Sequence, residues 1–349
     1  MILSVDVMGG DNGPSVVLPA LAIALRSSAG GDVRFLLHGS QAAIEPELAR
    51  MPALRPVCEI RHTEKAISME DKPAQAMRRG KGSSLWNAVE CVKSGEAQAA
   101  ISAGNTGALM AISMLLLRMA PDVERPALSA SWPTMRGVTT VLDVGANVES
   151  DAEQLVEFAI MGAAFHHAIH GVNRPKVGLL NVGSEEQKGH EEVREAHALL
   201  RSTAFEFDYH GFVEGNDIAR GTVDVVVTDG FTGNVLLKTA EGVARFFAAE
   251  LRSALTSSPL ATAGALLASG ALKTLKARMD PGAVNGAPLL GLNGIVVKSH
   301  GGADAAGYAS AVQVAINLAR SDFAAEIDRS VKRLSEARRA VAAGAEPAA

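Results

Sequence analysis

Seven apolar runs of strand length along this chain each stop at glycine and small polar residues, and a helix-compatible segment follows each run. Regular alternation of strands and helices predicts parallel βαβ units with right-handed crossovers. Because the carboxyl ends of the strands in an open parallel sheet lie along one edge, we expect the loops that follow to converge on a single crevice. The predicted strands are 2–7, 33–37, 99–102, 139–142, 177–181, 223–228 and 295–298.

The loops after these strands indicate an anionic ligand. Glycine lets backbone N–H groups approach an anion closely, and the N-terminus of the helix behind each loop adds partial positive charge. The seven loops are 5–11, 36–40, 101–107, 141–147, 180–184, 227–234 and 297–302.

The composition fits an α/β fold with a mostly parallel sheet. The chain is 48% hydrophobic but only 4% aromatic, so Ala, Val, Leu and Ile make up most of the core, as buried parallel strands require. No internal linker divides the chain. We therefore expect one catalytic domain over 1–330, with a helical hairpin insertion near 251–280, and a fraying helix and disordered tail over 331–349.

Several classes of protein are disfavoured. A net charge of -5 argues against nucleic acid as a partner. Cys58 and Cys91 are too few for a disulfide framework or a cysteine zinc site, and the N-terminus resembles a strand rather than a signal peptide, so we expect a cytoplasmic protein. We expect no metal, because His166 and His170 fit a polar helix face without a third ligand.

Three loops carry candidate polar groups. Lys188 lies in the glycine-bracketed loop 183–189, where an ammonium suits phosphate, although a surface pairing with a neighbouring glutamate is equally consistent. Asn234 can donate to an oxyanion and Asp229 can orient a donor, although an Asx-turn with a helix N-cap fits the same residues. Asn105 and Thr106 open an apolar helix whose N–H groups point at the crevice.

Two surface features also suggest partners. Arg78, Arg79 and Lys81 form the strongest basic cluster, which fits either a solvated turn or a dock for an acidic partner. The segment 251–278 places leucines beside Lys273, Lys276 and Arg278. It fits a hairpin lying on a membrane surface, or an ordinary core or subunit-interface hairpin.

Taken together, the loops resemble those of the bacterial acyl-carrier-protein:phosphate acyltransferases of phospholipid synthesis, the PlsX family. The resemblance covers residues 1 to about 320 and leaves out the tail. It rests on the motifs at 6–11 with Pro14, 102–110, 124–127, 142–148, 183–189, 228–234 with 237–239, and 298–301.

This resemblance implies a three-layer α/β/α sandwich, similar to phosphotransacetylases and isocitrate dehydrogenase-like folds, that works as a homodimer without a cofactor. It implies acyl transfer from acyl carrier protein to inorganic phosphate. The acyl phosphate product would serve glycerol 3-phosphate acylation, with a membrane glycerol-3-phosphate acyltransferase as partner. Members are cytoplasmic and associate peripherally with the membrane through the region of the 251–278 hairpin.

On this resemblance, we expect phosphate to lie against Lys188 and the start of the Asn105–Thr106 helix. Asn234 donates to the oxyanion, Asp229 orients it, and His300 is a weaker candidate to protonate the leaving thiolate or bind phosphate. The basic cluster Arg78, Arg79 and Lys81 docks the carrier protein. The expected substrate-binding residues are Gly9, Gly10, Asp11, Gly104, Asn105, Thr106, Gly107, Asn147 and Gly233.

Three alternatives remain at this stage. A phosphotransacetylase would use coenzyme A in place of a carrier protein. An isocitrate-type dehydrogenase is less consistent, since the chain has no Gly-x-Gly-x-x-Gly turn. A non-catalytic scaffold would bind carrier protein without phosphate-dependent turnover.

Overall fold

The computed structural model describes residues 1–27, 32–279 and 285–342. The described strands form one eleven-stranded sheet in the order β3-β2-β1-β4-β11-β10-β5-β6-β9-β7-β8. They are β1 (Ile2–Asp6), β2 (Arg34–Gly39), β3 (Cys58–His62), β4 (Ala99–Ser102), β5 (Ala127–Thr134), β6 (Gly137–Leu142), β7 (Lys176–Leu180), β8 (Asp208–Val213), β9 (Val225–Val227), β10 (Ala287–Leu290) and β11 (Ile295–Lys298).

The helices alternate with the strands along most of the chain, as the pattern predicts. The described α-helices are α1 (Pro14–Ser27), α2 (Gln41–Ala49), α3 (Pro73–Arg79), α4 (Ser84–Lys93), α5 (Thr106–Leu117), α6 (Ala152–His170), α7 (Glu191–Ser202), α8 (Gly215–Arg220), α9 (Gly230–Leu255), α10 (Pro259–Leu267), α11 (Ser269–Met279), α12 (Ala305–Arg320) and α13 (Phe323–Ala342).

Helices cover both faces of the sheet, which confirms the three-layer α/β/α fold. The larger hydrophobic cluster includes Phe158 of α6 and Val312 of α12, whereas the second includes Ile112 of α5. Successive strand residues point to opposite faces, and Val297 accordingly joins the first cluster while Val296 joins the second. The central strands are therefore buried on both faces, which explains their continuous apolar runs.

All seven predicted strands are confirmed, and the sequence pattern missed four. Strands β3 and β8 form the two edges of the sheet and carry exposed polar residues, so neither presents an apolar run. Strands β5 and β10 are interrupted by Pro133 and Pro288. Proline disfavours a central strand because it cannot donate to the ladder.

The missed central strands change the direction of the sheet. Strands β3, β2, β1, β4 and β11 are parallel to one another, and so are β6, β9, β7 and β8. Between these two blocks, three successive pairings are antiparallel: β11 with β10, β10 with β5, and β5 with β6. The two blocks therefore run in opposite directions, and the expectation that all seven loops converge on one edge is wrong.

The strand register nevertheless places the carboxyl ends of β11 and β6, one from each block, at a similar height in the sheet. Val297 pairs with Pro288, and Leu289 pairs with Leu128. Continuing that register by one residue brings Pro288 level with Ser129, which pairs with Leu142. The carboxyl ends of β11 and β6 thus lie at a similar height, separated laterally by three strand spacings or roughly 14 Å.

The predicted hairpin insertion begins earlier than expected. Helix α9 runs unbroken from Gly230 to Leu255, and α10 and α11 follow it, so the 251–280 boundary falls inside a longer helical arm (230–279). Large apolar side chains are exposed along this arm: Phe231, Val235, Val243, Phe246, Phe247, Leu251, Leu260, Leu266, Leu267 and Leu275. The side chains of Lys276 and Arg278 lie outside the described residues.

The carboxyl-terminal segment begins as a helix. Helix α13 continues to Ala342, so 331–342 is helical, and 343–349, where the tail is expected, lies outside the described residues. Among the described helices, none has both the length and the apolar character needed to cross a membrane.

Candidate active site

The first loop group, which we call the first cradle, lies at the carboxyl ends of β1, β4 and β11 (residues 6–13, 102–107 and 298–304). Buried Asp6 accepts a 2.7 Å hydrogen bond from the Ser102 hydroxyl, and the Gly104 N–H donates to the same hydroxyl oxygen at 2.9 Å. Burial raises the pKa of Asp6, and hydrogen bonds from Ser84 and Ser102 act in the opposite direction. A Cβ on Gly9 would lie 2.5 Å from the Asp6 carboxylate, so only glycine fits this close approach.

Lys298, the last residue of β11, is a buried cation of the first cradle that the sequence interpretation did not include. Its side chain is 8% exposed, and its Nζ donates to the carbonyl oxygens of Ala103, at 3.2 Å, and Ser299. Burial lowers the pKa of Lys298 to about 8, while the negative charges of Asp11 and Asp6 raise it. The sequence does contain a signal for this cation: a lysine ends an apolar strand directly before a glycine-containing loop.

The start of α5 is a capped helix N-terminus, as predicted for Asn105 and Thr106. The Asn105 side-chain oxygen accepts from the Ala108 N–H at 3.0 Å, and its amide nitrogen donates to the carbonyls of Met69 (2.7 Å) and Asp71 (2.9 Å). Its polar atoms are therefore already engaged in holding segment 69–71 over the helix start. The backbone N–H groups in the first turn of α5, rather than the Asn105 carboxamide, are therefore the donors left available at this helix start.

His300 and the Gly10–Asp11 turn complete the first cradle. The Asp11 N–H donates to the Gly301 carbonyl at 3.0 Å, which joins the β1–α1 loop to the β11–α12 loop. The His300 Nδ1 accepts from the Gly302 N–H at 3.1 Å. This bond favours the tautomer with the proton on Nε2, so an exposed His300 ring presents an N–H donor to the solvent side of the cradle.

The second loop group, which we call the second cradle, comprises residues 143–147 and 228–234. The buried Asp143 carboxylate accepts from the Asn147 N–H at 2.7 Å and from the Asn147 side-chain amide at 2.9 Å. It also accepts from the backbone N–H groups of Leu128, Gly145 and Ala146. Burial raises the pKa of Asp143, whereas these hydrogen bonds lower it. The buried Asn147 amide also donates to the Pro126 carbonyl, so Asn147 supports the loop from within.

Helix α9 starts directly on this turn. A Cβ on Gly233 would lie 1.8 Å from the Asp143 carbonyl oxygen, so the helix and the turn meet without space for a side chain. Asp229 is the N-cap of α9, and both of its oxygens accept from Thr232 at 2.8 Å. Asp229 thus takes the capping role that its sequence context equally allowed.

Asn234 lies exposed at the start of the second turn of α9. Its side chain faces Gly145, whose added Cβ would be 3.6 Å from the Asn234 Oδ1. Within the described part of the chain, its carboxamide forms no hydrogen bond with another residue. It is therefore a polar group next to a helix N-terminus that can donate to an incoming oxygen.

Lys188 lies in the loop between β7 and α7, in the same block as the second cradle. Its ammonium pairs with Glu185 at 2.8 Å, and both side chains are about half exposed. The hydrogen bond from Lys188 to Glu185 raises the pKa of Lys188. The surface pairing that the sequence allowed is therefore present, and an anion would have to exchange with Glu185 for this ammonium.

Arg78 and Arg79 lie in the last turn of α3, and both are exposed together with Lys81. The Lys65 Nζ donates to the Lys81 carbonyl at 2.9 Å, which adds another cation to this surface. Segment 65–81, which we call the basic segment, also includes Met69, whose carbonyl binds Asn105. The basic segment therefore borders the first cradle directly.

The candidate residues thus form two groups within one chain. The first cradle holds Gly9, Gly10, Asp11, Gly104, Asn105, Thr106, Gly107 and His300, and the second holds Asn147, Asp229, Gly233 and Asn234. Helix α9 begins on the second cradle, and the positive charge of its Lys238 lowers the pKa of Lys298 in the first.

No group of three or more His, Cys, Asp or Glu side chains in the described ranges has an arrangement that could hold a metal ion. His166 does not lie on a polar helix face as expected. It is buried, and its Nδ1 lies 3.0 Å from the Thr140 hydroxyl.

Comparison with known proteins agrees with this architecture. Residues 1–326 match the model of a family described as "Fatty acid synthesis protein". A protein named Phosphate acyltransferase from Caulobacter vibrioides is 72% identical over 99% of this chain and 95% of its own length. A second, from Phenylobacterium zucineum, is 59% identical over 97% of this chain and 95% of its own length.

Solved structures of low sequence identity share the fold. A phosphotransacetylase from Streptococcus pyogenes superposes with a TM-score of 0.57 at 16% identity, covering 91% of this chain and 94% of its own. The EutD phosphotransacetylase from Staphylococcus aureus gives 0.55 at 15% identity, covering 94% of each chain.

Proposed function

This chain belongs to the fatty acid synthesis protein family and is an acyltransferase, and from this premise we propose that it transfers an acyl group from acyl carrier protein to inorganic phosphate. The observation that carries this proposal is that β11 and β6, which lead into the two cradles, end at a similar height in the sheet. Helix α9 begins against Asp143 of the second cradle, and the charge of its Lys238 lowers the pKa of Lys298 in the first. One cradle can hold the anionic nucleophile while the other stabilises the carbonyl oxygen.

In this reaction a phosphate oxygen attacks the thioester carbonyl carbon. A carbon–oxygen bond forms, the carbonyl oxygen becomes an oxyanion, and its collapse breaks the carbon–sulfur bond and releases the thiolate. We assign phosphate to the start of α5. Lys188 follows β7, six strands away from β4 in the sheet, so it contributes only where its loop reaches over the first cradle and its ammonium exchanges Glu185 for the anion. The Asn234 carboxamide donates to the oxyanion, and Asp229 orients it by capping the first turn of α9, directly before Asn234. The His300 Nε2–H donates a hydrogen bond to phosphate or to the departing thiolate, which takes its proton from solvent.

The basic segment supports a protein donor of the acyl group. Arg78, Arg79 and Lys81 are exposed on the segment that contacts the first cradle through Met69, so an acidic carrier protein bound there would bring its thioester to the loops. The acyl phosphate formed would then be consumed by a membrane glycerol-3-phosphate acyltransferase.

The helical arm supports self-association and contact with a membrane. Phe246 and Phe247 of α9 are each 60% exposed, and Leu267 of α10 is 91% exposed. Exposed apolar patches of this kind mark interaction surfaces. We assign the α9 part to a homodimer interface and the α10 part to peripheral attachment of a cytoplasmic enzyme at the membrane.

The test is to mix the purified protein with palmitoyl-acyl carrier protein, with and without inorganic phosphate. Release of carrier thiol is followed while hydroxylamine traps acyl phosphate as hydroxamate. Phosphate-dependent release with hydroxamate formation is the expected result. Tight carrier binding without release would instead support a scaffold.

The fold likeness to phosphotransacetylases gives a second candidate, a coenzyme A-dependent enzyme, and the same assay with palmitoyl-coenzyme A distinguishes it. Turnover with the coenzyme A ester but not with the carrier protein would overturn the donor assignment. Substituting Lys188→Ala or Asn234→Ala is expected to lower turnover by about 100-fold or more, as loss of one oxyanion donor does elsewhere, while leaving the protein folded. Near-normal turnover in either variant would contradict its assigned role.

A further inference from the structure

Lys298 lies where the two loops of the first cradle meet. Its Nζ donates to the carbonyl of Ala103, on the loop that leads into Asn105 and α5, and to the carbonyl of Ser299, on the loop that carries His300. An ammonium has three N–H donors, and these two loops occupy two of them. One lysine therefore bonds both loops that line the first cradle.

The charge of this lysine needs an explanation. Its side chain is 8% exposed at the end of an apolar strand, where an uncharged side chain of similar length would avoid the cost of burying a cation. The charged groups that act on it come from three elements: Asp6 of β1, Asp11 of the β1–α1 loop and Lys238 of α9. The cation thus lies among the groups that line the cradle, and not in a solvated surface pair.

We propose that Lys298 is a positioning residue of the phosphate subsite: its ammonium clamps the Ala103 and Ser299 carbonyls and thereby sets the spacing between the α5 N-terminus and His300. The inference rests on the proposed function, since it assigns phosphate to that space. A neutral Nζ keeps two N–H donors but loses the positive charge that strengthens both bonds, so deprotonation weakens the clamp. Because burial lowers the pKa of Lys298 to about 8, the alkaline side of the pH profile reports on it.

The test compares three variants by steady-state kinetics with each substrate varied in turn. Lys298→Met keeps the length of the side chain and removes the charge, and Lys298→Arg keeps the charge. Lys93→Met is the matched control, because Lys93 is exposed at the end of α4. We expect Lys298→Met to raise the KM for phosphate by about tenfold or more, a typical effect of ångström-scale misplacement, with the KM for the acyl donor changed less than about twofold.

Two further measurements separate a clamp from a general packing effect. In the wild type, kcat/KM for phosphate should fall as pH rises through about 8, and in Lys298→Arg this fall should move to higher pH, because a guanidinium stays protonated. Amide hydrogen exchange of 103–107 and 299–304 should be faster in Lys298→Met than in Lys93→Met.

An unchanged KM for phosphate with unchanged exchange in Lys298→Met would overturn the proposal. If Lys298→Met does not fold, Lys298→Arg decides. A fall in kcat/KM for phosphate at the same pH as in the wild type contradicts the clamp, and a fall at higher pH supports it. If the wild type shows no phosphate-dependent turnover, the proposed function has failed. The exchange rates of the two loops then still report separately whether Lys298 joins them.

Discussion

Replacing Gly233 by alanine should disable the enzyme while leaving most of the protein intact. The new Cβ would lie 1.8 Å from the Asp143 carbonyl oxygen and 2.9 Å from the Asp143 carbonyl carbon. Side-chain carbons essentially never approach closer than 3.0 Å, so the start of α9 must retreat by at least about 1.2 Å. A displacement of about 1 Å at a positioned group costs about 100-fold in rate, and overpacking of this kind costs about 1–3 kcal/mol of stability.

Gly242 offers a control in the same helix. An added Cβ there meets no atom within 4 Å, and alanine favours a helix over glycine by about 0.5–1 kcal/mol. The assay is phosphate-dependent hydroxamate formation, together with urea unfolding followed by circular dichroism. Gly242→Ala should keep wild-type turnover and unfold at equal or higher urea. If Gly233→Ala also keeps turnover within about threefold of wild type, the action of Asn234 does not depend on the close contact between α9 and the Asp143 carbonyl, and the prediction is refuted.

Three further outcomes are expected. Burial lowers the pKa of His166 to about 4, so between pH 6.5 and 4 the unfolded chain binds a proton that the folded protein excludes. Its contribution to stability is complete above pH 6.5 and is lost as the pH falls, so His166→Gln should make urea midpoints fall less steeply across this range, with the buried His38 still contributing. Substituting Arg78→Glu together with Arg79→Glu should raise the KM for acyl carrier protein and abolish its salt dependence, whereas Arg50→Glu on α2's C-terminal side should leave both unchanged. Phe247→Ser should shift the protein toward monomer in sedimentation equilibrium at a given concentration; an unchanged distribution would exclude α9's exposed face from the interface.

The sequence pattern predicted the strands that are buried on both faces, because only those carry an unbroken apolar run. It could not predict the reversal of the sheet. The reversal depends on β5 and β10, whose prolines hide them in the sequence pattern. It also depends on β5 pairing both with β6, the next strand in the chain, and with β10, which comes much later in the chain. Strand direction follows from these pairings and not from local propensity.

The sites show the same division between local and distant information. Glycines at strand ends identified both cradles, because the need for close backbone approach is local. The partners of the polar side chains were not visible: Asn105 binds carbonyls more than 30 residues earlier in the chain, and Lys298 binds a carbonyl 195 residues away. Lys298 was consequently treated as the end of a strand.

The order of strands in the sheet also determines when the protein can be assembled during synthesis. Strands β1 to β4 can pair among themselves, and so can β5 to β9, but the link between the two sets is the β10–β11 pair at 287–298. Until the ribosome has released that late segment, β4 and β5 each present an open strand edge, which is a template for association with other chains. A nascent chain ending before residue 287 should therefore depend on chaperones, and the last pairing formed is the one that brings Lys298 to Ala103.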